Sequence, residues 1–128
     1  MVVILIVAIL AAVAIPIYRA RIDAAKWSEG KAIMGTIATA IRAWCAEQSP
    51  DYSGPKPSTL EELNFMPGDC SGTYFSDTDF TVINVTAISP PQFTITCTPT
   101  DQPDRPGNPV SVTMTADENG NVTWTQTP

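Results

Sequence analysis

Three cysteines and two acidic turns are the parts of this sequence whose residue types and spacing could do chemistry. The 128 residues include no histidine, which removes the commonest general base and the commonest transition-metal ligand. Cys45, Cys70 and Cys97 are widely spaced and form no Cys-x-x-Cys pair, so the zinc and c-type haem patterns are absent. The sequence also contains no Ser-His-Asp set and no glycine loop for phosphate. We therefore predict no enzymatic activity and no cofactor.

The acidic turns could offer oxygen ligands to calcium. Asp77-x-Asp79 is one such turn, and Asp117, Asn119 and Asn121 form another around Asn119-Gly120. Short acidic turns are more often solvated turns, and Asn-Gly is a strong β-hairpin signal. We therefore predict no metal site, with Asp117, Asn119 and Asn121 kept as the calcium candidates.

The elements that would position these groups begin with an apolar N-terminal segment. Residues 1–18 carry no charge, and as a helix they would span about 27 Å, close to the thickness of a bilayer core. A cleaved signal peptide should start with basic residues, and a helix that is apolar all round is too large for so small a head to bury. We predict a membrane-spanning segment, residues 1–20, with a helix break at Pro16.

The helical pattern continues after this segment to about residue 48. Apolar residues recur there at three- and four-residue steps, and charged residues largely occupy the other faces. The sequence therefore predicts one helix of about 45 residues, interrupted near Pro16, apolar in its first half and amphipathic in its second.

The remaining chain predicts a small antiparallel β-sheet. Proline-rich residues 49–72 form the connecting loop, with a capping box at Ser58-Thr59-Leu60-Glu61, and residues 73–128 contain alternating strand patterns. Together with the second half of the helix, residues 21–128 form the globular head of an α+β fold, in which the helix lies across the sheet. The predicted head core consists of Ile33, Ile37, Ile41, Trp44, Phe93 and Ile95.

One disulfide is predicted within this head. Cys45 lies on the helix stripe that faces the sheet, one turn after Ile41, and Cys97 shares a strand face with Phe93 and Ile95. We expect Cys45 to pair with Cys97, with the loop residue Cys70 as the alternative partner of either. A bridge would stabilise the head by about 2–4 kcal/mol, and three buried thiols are the other interpretation.

Residues 2–18, VVILIVAILAAVAIPIY, resemble the N-terminal signature of type IV pilins and type II secretion pseudopilins. The match includes Ile9-Leu10-Ala11-Ala12, the Ala14-Ile15-Pro16 step and the tyrosine two residues later. The resemblance implies cleavage of a leader by a dedicated peptidase, methylation, membrane storage and assembly into a helical filament. In this filament the polymerisation core would be formed by Val3, Ile6, Ile9, Leu10, Val13 and Pro16.

Two departures from the family pattern accompany this match. The family's Gly-Phe-Thr-Leu-Ile-Glu-Leu block, with its cleavage site and glutamate, would lie immediately before Met1. Either the sequence starts late, which we expect, or the chain is not processed in the usual way. Ala8 stands where many members carry glycine, and alanine favours the helix by about 1 kcal/mol.

These observations predict a pilus subunit, stored in the inner membrane and then exposed on the cell surface for adhesion, motility or DNA uptake. The alternatives are a pseudopilin of a periplasmic pseudopilus and a membrane-anchored binding domain that never polymerises. The expected partners are copies of the chain, the inner membrane and the assembly machinery. Residues 49–128 carry ten acidic and two basic residues, a net charge of −8, so we expect the head to bind no nucleic acid.

Overall fold

One long helix and a four-stranded antiparallel sheet make up the protein, which confirms the predicted α+β class. The computed structural model describes the backbone of all 128 residues and every side chain except that of Val82. Strands follow one another in the sheet in chain order, β1-β2-β3-β4. The elements are helix α1 (Val2–Glu47), two 3-10 turns (Glu61–Leu63 and Asp77–Asp79), and strands β1 (Val82–Ala87), β2 (Gln92–Cys97), β3 (Ser111–Ala116) and β4 (Val122–Thr127).

Helix α1 runs through Pro16 without ending, so the predicted helix break is wrong. Proline removes only its own N–H donor, and the hydrogen bonds of the turns on either side keep the helical path. The 46 residues reach about 69 Å. The helix ends where Gln48 adopts an extended conformation, two residues before Pro50, because the residue before a proline disfavours helical geometry.

The head core lies between one stripe of α1 and one face of the sheet. Ile37, Ile41, Phe93 and Ile95 are at most 1% exposed, whereas Ile33 and Trp44 are partly buried and pack against them. The predicted residues therefore lie in or against the core, which also contains residues that were not predicted. The buried helix residues recur at one face with steps of three and four, namely Trp27, Gly30, Met34, Ile37, Ala38, Ile41 and Cys45.

Strands β2 and β3 alternate strictly between buried and half-buried residues. Their register places Thr94 opposite Thr115 and Thr96 opposite Thr113, so threonines line the outer face while apolar residues face the helix. The Oγ1 atoms of Thr96 and Thr113 lie 3.1 Å apart. The sheet begins at Val82 and not at residue 73, and the preceding Phe75 packs its ring on Trp27, with ring centroids 5.1 Å apart.

The connecting loop contains a capping box one residue later than predicted. Thr59 Oγ1 accepts a hydrogen bond from Glu62 N at 3.3 Å, and Glu62 Oε2 accepts one from Thr59 N at 3.2 Å. Glu61, the predicted partner of Ser58, only opens the 3-10 turn. The backbone N–H groups of Ser58 and Thr59 both donate hydrogen bonds to the Glu62 carboxylate and lower its pKa, since they favour the charged form.

Candidate polymerisation surface

The first 21 residues of the chain are all exposed, and residues 1–18, which carry no charged side chain, form an apolar cylinder that extends beyond the head. The predicted polymerisation residues share this exposure: Val3 is 72% exposed, Ile6 50%, Ile9 58%, Leu10 63% and Val13 60%. Pro16 is exposed as well. A contiguous apolar surface of this size is costly in water, so it requires lipid or other protein as its surroundings.

Helix α1 is also the one helix, within the part of the chain that the structure describes, that is long and apolar enough to cross a membrane. The qualifying window of 18 residues is not buried in the head at all. Length and composition of this segment therefore fit a bilayer core.

The head begins to contact α1 at its first polar turn after the apolar half. Asp23 accepts hydrogen bonds from the backbone N–H groups of Gly107 and Asn108, each at 3.2 Å. One and a half turns later, Glu29 Oε1 accepts a hydrogen bond from Tyr74 N at 3.0 Å. Two loops distant in sequence are thus fixed to the helix by carboxylates. Sequence patterns did not reveal these contacts, because Asp23 and Glu29 lie on faces that read as solvent-exposed.

Trp27 and Gly30 lie at a close contact between the helix and the head. Trp27 is 2% exposed, and its Nε1 is buried with no hydrogen-bond partner. A Cβ atom at Gly30 would lie 2.7 Å from Phe75 Cζ. Glycine at position 30 therefore allows the Phe75 ring to approach the helix backbone, and the head closes on α1 at this level.

Among the calcium candidates, the Asp117 carboxylate accepts hydrogen bonds from other residues of its own turn. Asp117 Oδ1 accepts hydrogen bonds from Asn119 N and Asn121 N, both at 2.9 Å. These bonds lower the pKa of Asp117 and organise the β3–β4 hairpin. The described residues contain no group of three or more potential metal-ligating side chains.

The Asp77-x-Asp79 pair has a comparable structural role. Asp77 Oδ1 accepts hydrogen bonds from Cys70 N at 2.9 Å and Ser71 Oγ at 3.1 Å. Asp79 is fully buried and accepts hydrogen bonds from Ser76 N and Thr100 N, both at 2.9 Å. Asp79 thereby joins its own turn to the segment that follows β2. Its capping box with Ser76 follows the Ser-x-x-Asp pattern, which could have predicted this role from the sequence.

All three cysteines are free and buried, so the predicted Cys45–Cys97 disulfide is not present in the structure, and neither is a bridge to Cys70. Each sulfur fills part of the apolar core as a small hydrophobic group. Burial raises the pKa of Cys45, raises that of Cys70 to about 11, and, together with the nearby Asp79 carboxylate, raises that of Cys97 to about 12. Thiols with such raised pKa values are poor nucleophiles at neutral pH.

Comparison with known proteins finds no matching family model, no similar curated protein and no similar solved structure.

Proposed function

We propose that the chain is a structural subunit of a type IV pilus-like filament, polymerised through its apolar N-terminal half with the head facing outward. The observation that carries this proposal is the continuous helix α1, which joins an exposed apolar half to a half that packs against the head. In a filament, such a helix would connect a buried N-terminal segment to a head on the outside. Packing of the apolar halves against one another would bury the surface that the head leaves open.

The pilin-like signature at residues 2–18 supports the same proposal and defines its surface. Side chains at Val3, Ile6, Leu10 and Val13 follow three- and four-residue steps and would meet neighbouring helices along one stripe. Ile9 covers an adjacent face, so a helix surrounded by several copies would use both. Before assembly, the same surface would rest in the inner membrane, where the surrounding lipid is equally apolar.

The test of this proposal introduces one charge into the apolar half. Ile9→Asp and Ala12→Asp each place a carboxylate where neighbouring helices would pack, and burying an unpaired charge costs several kcal/mol. We expect both variants to form no filaments while the head stays folded. Ala32→Asp is the matched control, since Ala32 is an exposed residue of the same helix outside the apolar half. Filaments of normal yield from Ile9→Asp and Ala12→Asp would refute the proposal.

A further inference from the structure

The two edges of the sheet differ in how they are protected from other strands. At one edge, the pairing of β1 with β2 shifts register between Val85 and Ala87. Such bulges are one of the ways in which native sheets block an edge. At the other edge, β4 pairs with β3 in unbroken register from Val122 to Thr127, contains neither a charge nor a proline, and is exposed at all six positions. Strand β4 therefore has none of the usual protection of an edge strand.

Half of the backbone groups of β4 point away from β3. Asp117 N donates a hydrogen bond to Asn121 O at 3.0 Å, so the backbone groups of Asn121 face β3. In an antiparallel ladder, residues whose N–H and C=O groups face the partner strand alternate with residues whose groups face the other way. Counting from Asn121, the backbone groups of Val122, Trp124 and Gln126 point outward. The edge thus presents three N–H donors and three C=O acceptors.

Apolar side chains at the same edge are also left partly uncovered. Val122 and Trp124 lie opposite Ala116 and Met114, on the face of the sheet that carries α1. Their β3 partners are each 4% exposed, whereas Val122 is 37% exposed and Trp124 is 39% exposed. Lys31 reaches over the Trp124 ring, with its Nζ 5.6 Å from the ring centroid. The helix therefore covers β3 and leaves β4 for another partner.

We propose that the β4 edge pairs antiparallel with β4 of a second copy of this chain, with Trp124 opposite Trp124. This register opposes Val122 to Gln126 of the other copy, so all outward N–H and C=O groups of both strands form hydrogen bonds. A register centred on Thr125 would oppose Val122 to Pro128, which has no N–H donor. The first register is therefore the better paired of the two.

Side chains favour the same register. Trp124 meets Trp124 on the helix side, and Thr123 meets Thr125 on the outer side, which are the aromatic and threonine pairs that stabilise antiparallel strands. Neither strand carries a charged side chain, and the Lys31 ammonium of each copy lies over its own Trp124 ring. The acidic hairpin at Asp117 and Glu118 precedes β4, so antiparallel pairing sends the two hairpins to opposite ends of the joined sheet. A second copy is thus electrostatically acceptable despite the acidic head.

The pairing determines how the two helices are arranged. The two-fold axis of an antiparallel pair within one sheet runs along the sheet normal, so both α1 helices lie on the same side and point in opposite directions. Two subunits of one filament have parallel helices, and therefore the pair joins subunits of two filaments. Formation of the pair does not depend on polymerisation, and its test is separate from that of the filament.

Register-specific cross-linking of the 128-residue chain in detergent tests this pairing. In the proposed register, residue 123 of one copy lies directly opposite residue 125 of the other, whereas identical residues are diagonal, about 7–8 Å apart. We expect a mixture of differently tagged Thr123→Cys and Thr125→Cys variants to give a mixed disulfide on mild oxidation, and either variant alone to give little. The native thiols should not interfere, because all three are buried.

Two controls define the outcomes. A mixture of Asn84→Cys and Thr86→Cys places equally exposed cysteines on β1 and should show only background cross-linking. Gln126→Pro removes one outward N–H without removing a bond to β3, so it should abolish the mixed disulfide, whereas Gln126→Ala should preserve it. Labelling resistance of the native thiols reports that the head of each variant is folded. A mixed yield at the level of the β1 control, equal yields in all mixtures, or full cross-linking in folded Gln126→Pro would overturn the proposal.

Discussion

The two halves of helix α1 have similar backbones and opposite surroundings. Residues 2–21 are exposed on every face, whereas a stripe from Trp27 to Cys45 is buried against the head. In the second half, polar residues separate the buried positions, and this restricts burial to one side. Residues 2–18 of the first half contain no charged residue that does so, and the whole circumference of this segment needs an apolar partner. One half of the helix therefore contributes to the core of the head, and the other half needs a contact outside the head.

The largest expected effect comes from one substitution made in each half. Ile37→Asp buries a carboxylate in the core, where Ile37 is fully buried, and should lower the free energy of unfolding of the head by about 4 kcal/mol or more. Ile9→Asp should leave that free energy unchanged within about 0.5 kcal/mol, because Ile9 contacts none of the head core. Chemical denaturation in detergent, followed by near-ultraviolet circular dichroism, measures both. Equal losses would contradict the division of α1 into two functional halves.

Thiol reactivity sharpens the comparison by reporting how firmly the head covers its half of the helix. Cys45 is 3% exposed and Cys97 is fully buried, and the raised pKa of each further disfavours the thiolate. At pH 8 we expect labelling to be slower than in the denatured chain by about a thousandfold or more, since it requires opening of the head. The folded state keeps these thiols protonated at a pH at which the unfolded chain releases the protons. The free energy of unfolding of the head should therefore fall as the pH rises above the pKa of a free thiol.

A Ser28→Cys variant is the matched control for that measurement. Ser28 is an exposed residue of the same half of α1, so its thiol should react at nearly the rate of a free thiol. Fast labelling of all three native cysteines in the folded protein would show that the head does not close on the helix.

Two glycines in the head half of α1 give a smaller and opposite pair of effects. Gly30→Ala should destabilise the head by about 1–2 kcal/mol, because the new Cβ would overlap the buried Phe75 ring. Gly35→Ala should stabilise it by about 0.5–1 kcal/mol, since no atom lies within 4 Å of the new Cβ and alanine is the better helix former. Thermal unfolding of the two variants side by side measures the difference. Stabilisation by both would contradict the close contact at Gly30.

A comparably small effect is expected at the boundary between the halves. Asp23→Ala removes the acceptor for Gly107 N and Asn108 N and should cost about 0.5–1.5 kcal/mol of head stability. Hydrogen exchange of these two amides should accelerate, whereas exchange in the β2–β3 ladder should remain slow. Unchanged exchange at residues 107 and 108 would show that the loop is held without Asp23.

The sequence predicted the helix, the sheet and the main core positions because each depends on local periodicity. It failed at Pro16, since a proline costs one donor and the other turns of a long helix can retain their path. It failed at the cysteines, because a shared face does not establish that two sulfur atoms are bonded. The contacts of Asp23, Glu29 and Asp79 join segments far apart in the chain, and no local pattern encodes those distances.

The most direct test of the central claim is electron microscopy of the sheared cell-surface fraction, followed by a helical reconstruction of filaments in which this protein is identified. The account predicts long filaments whose centre consists of residues 1–18 packed against copies of themselves, with the sheet of each head outside. A protein confined to the membrane fraction, or filaments held together by heads alone, would contradict it.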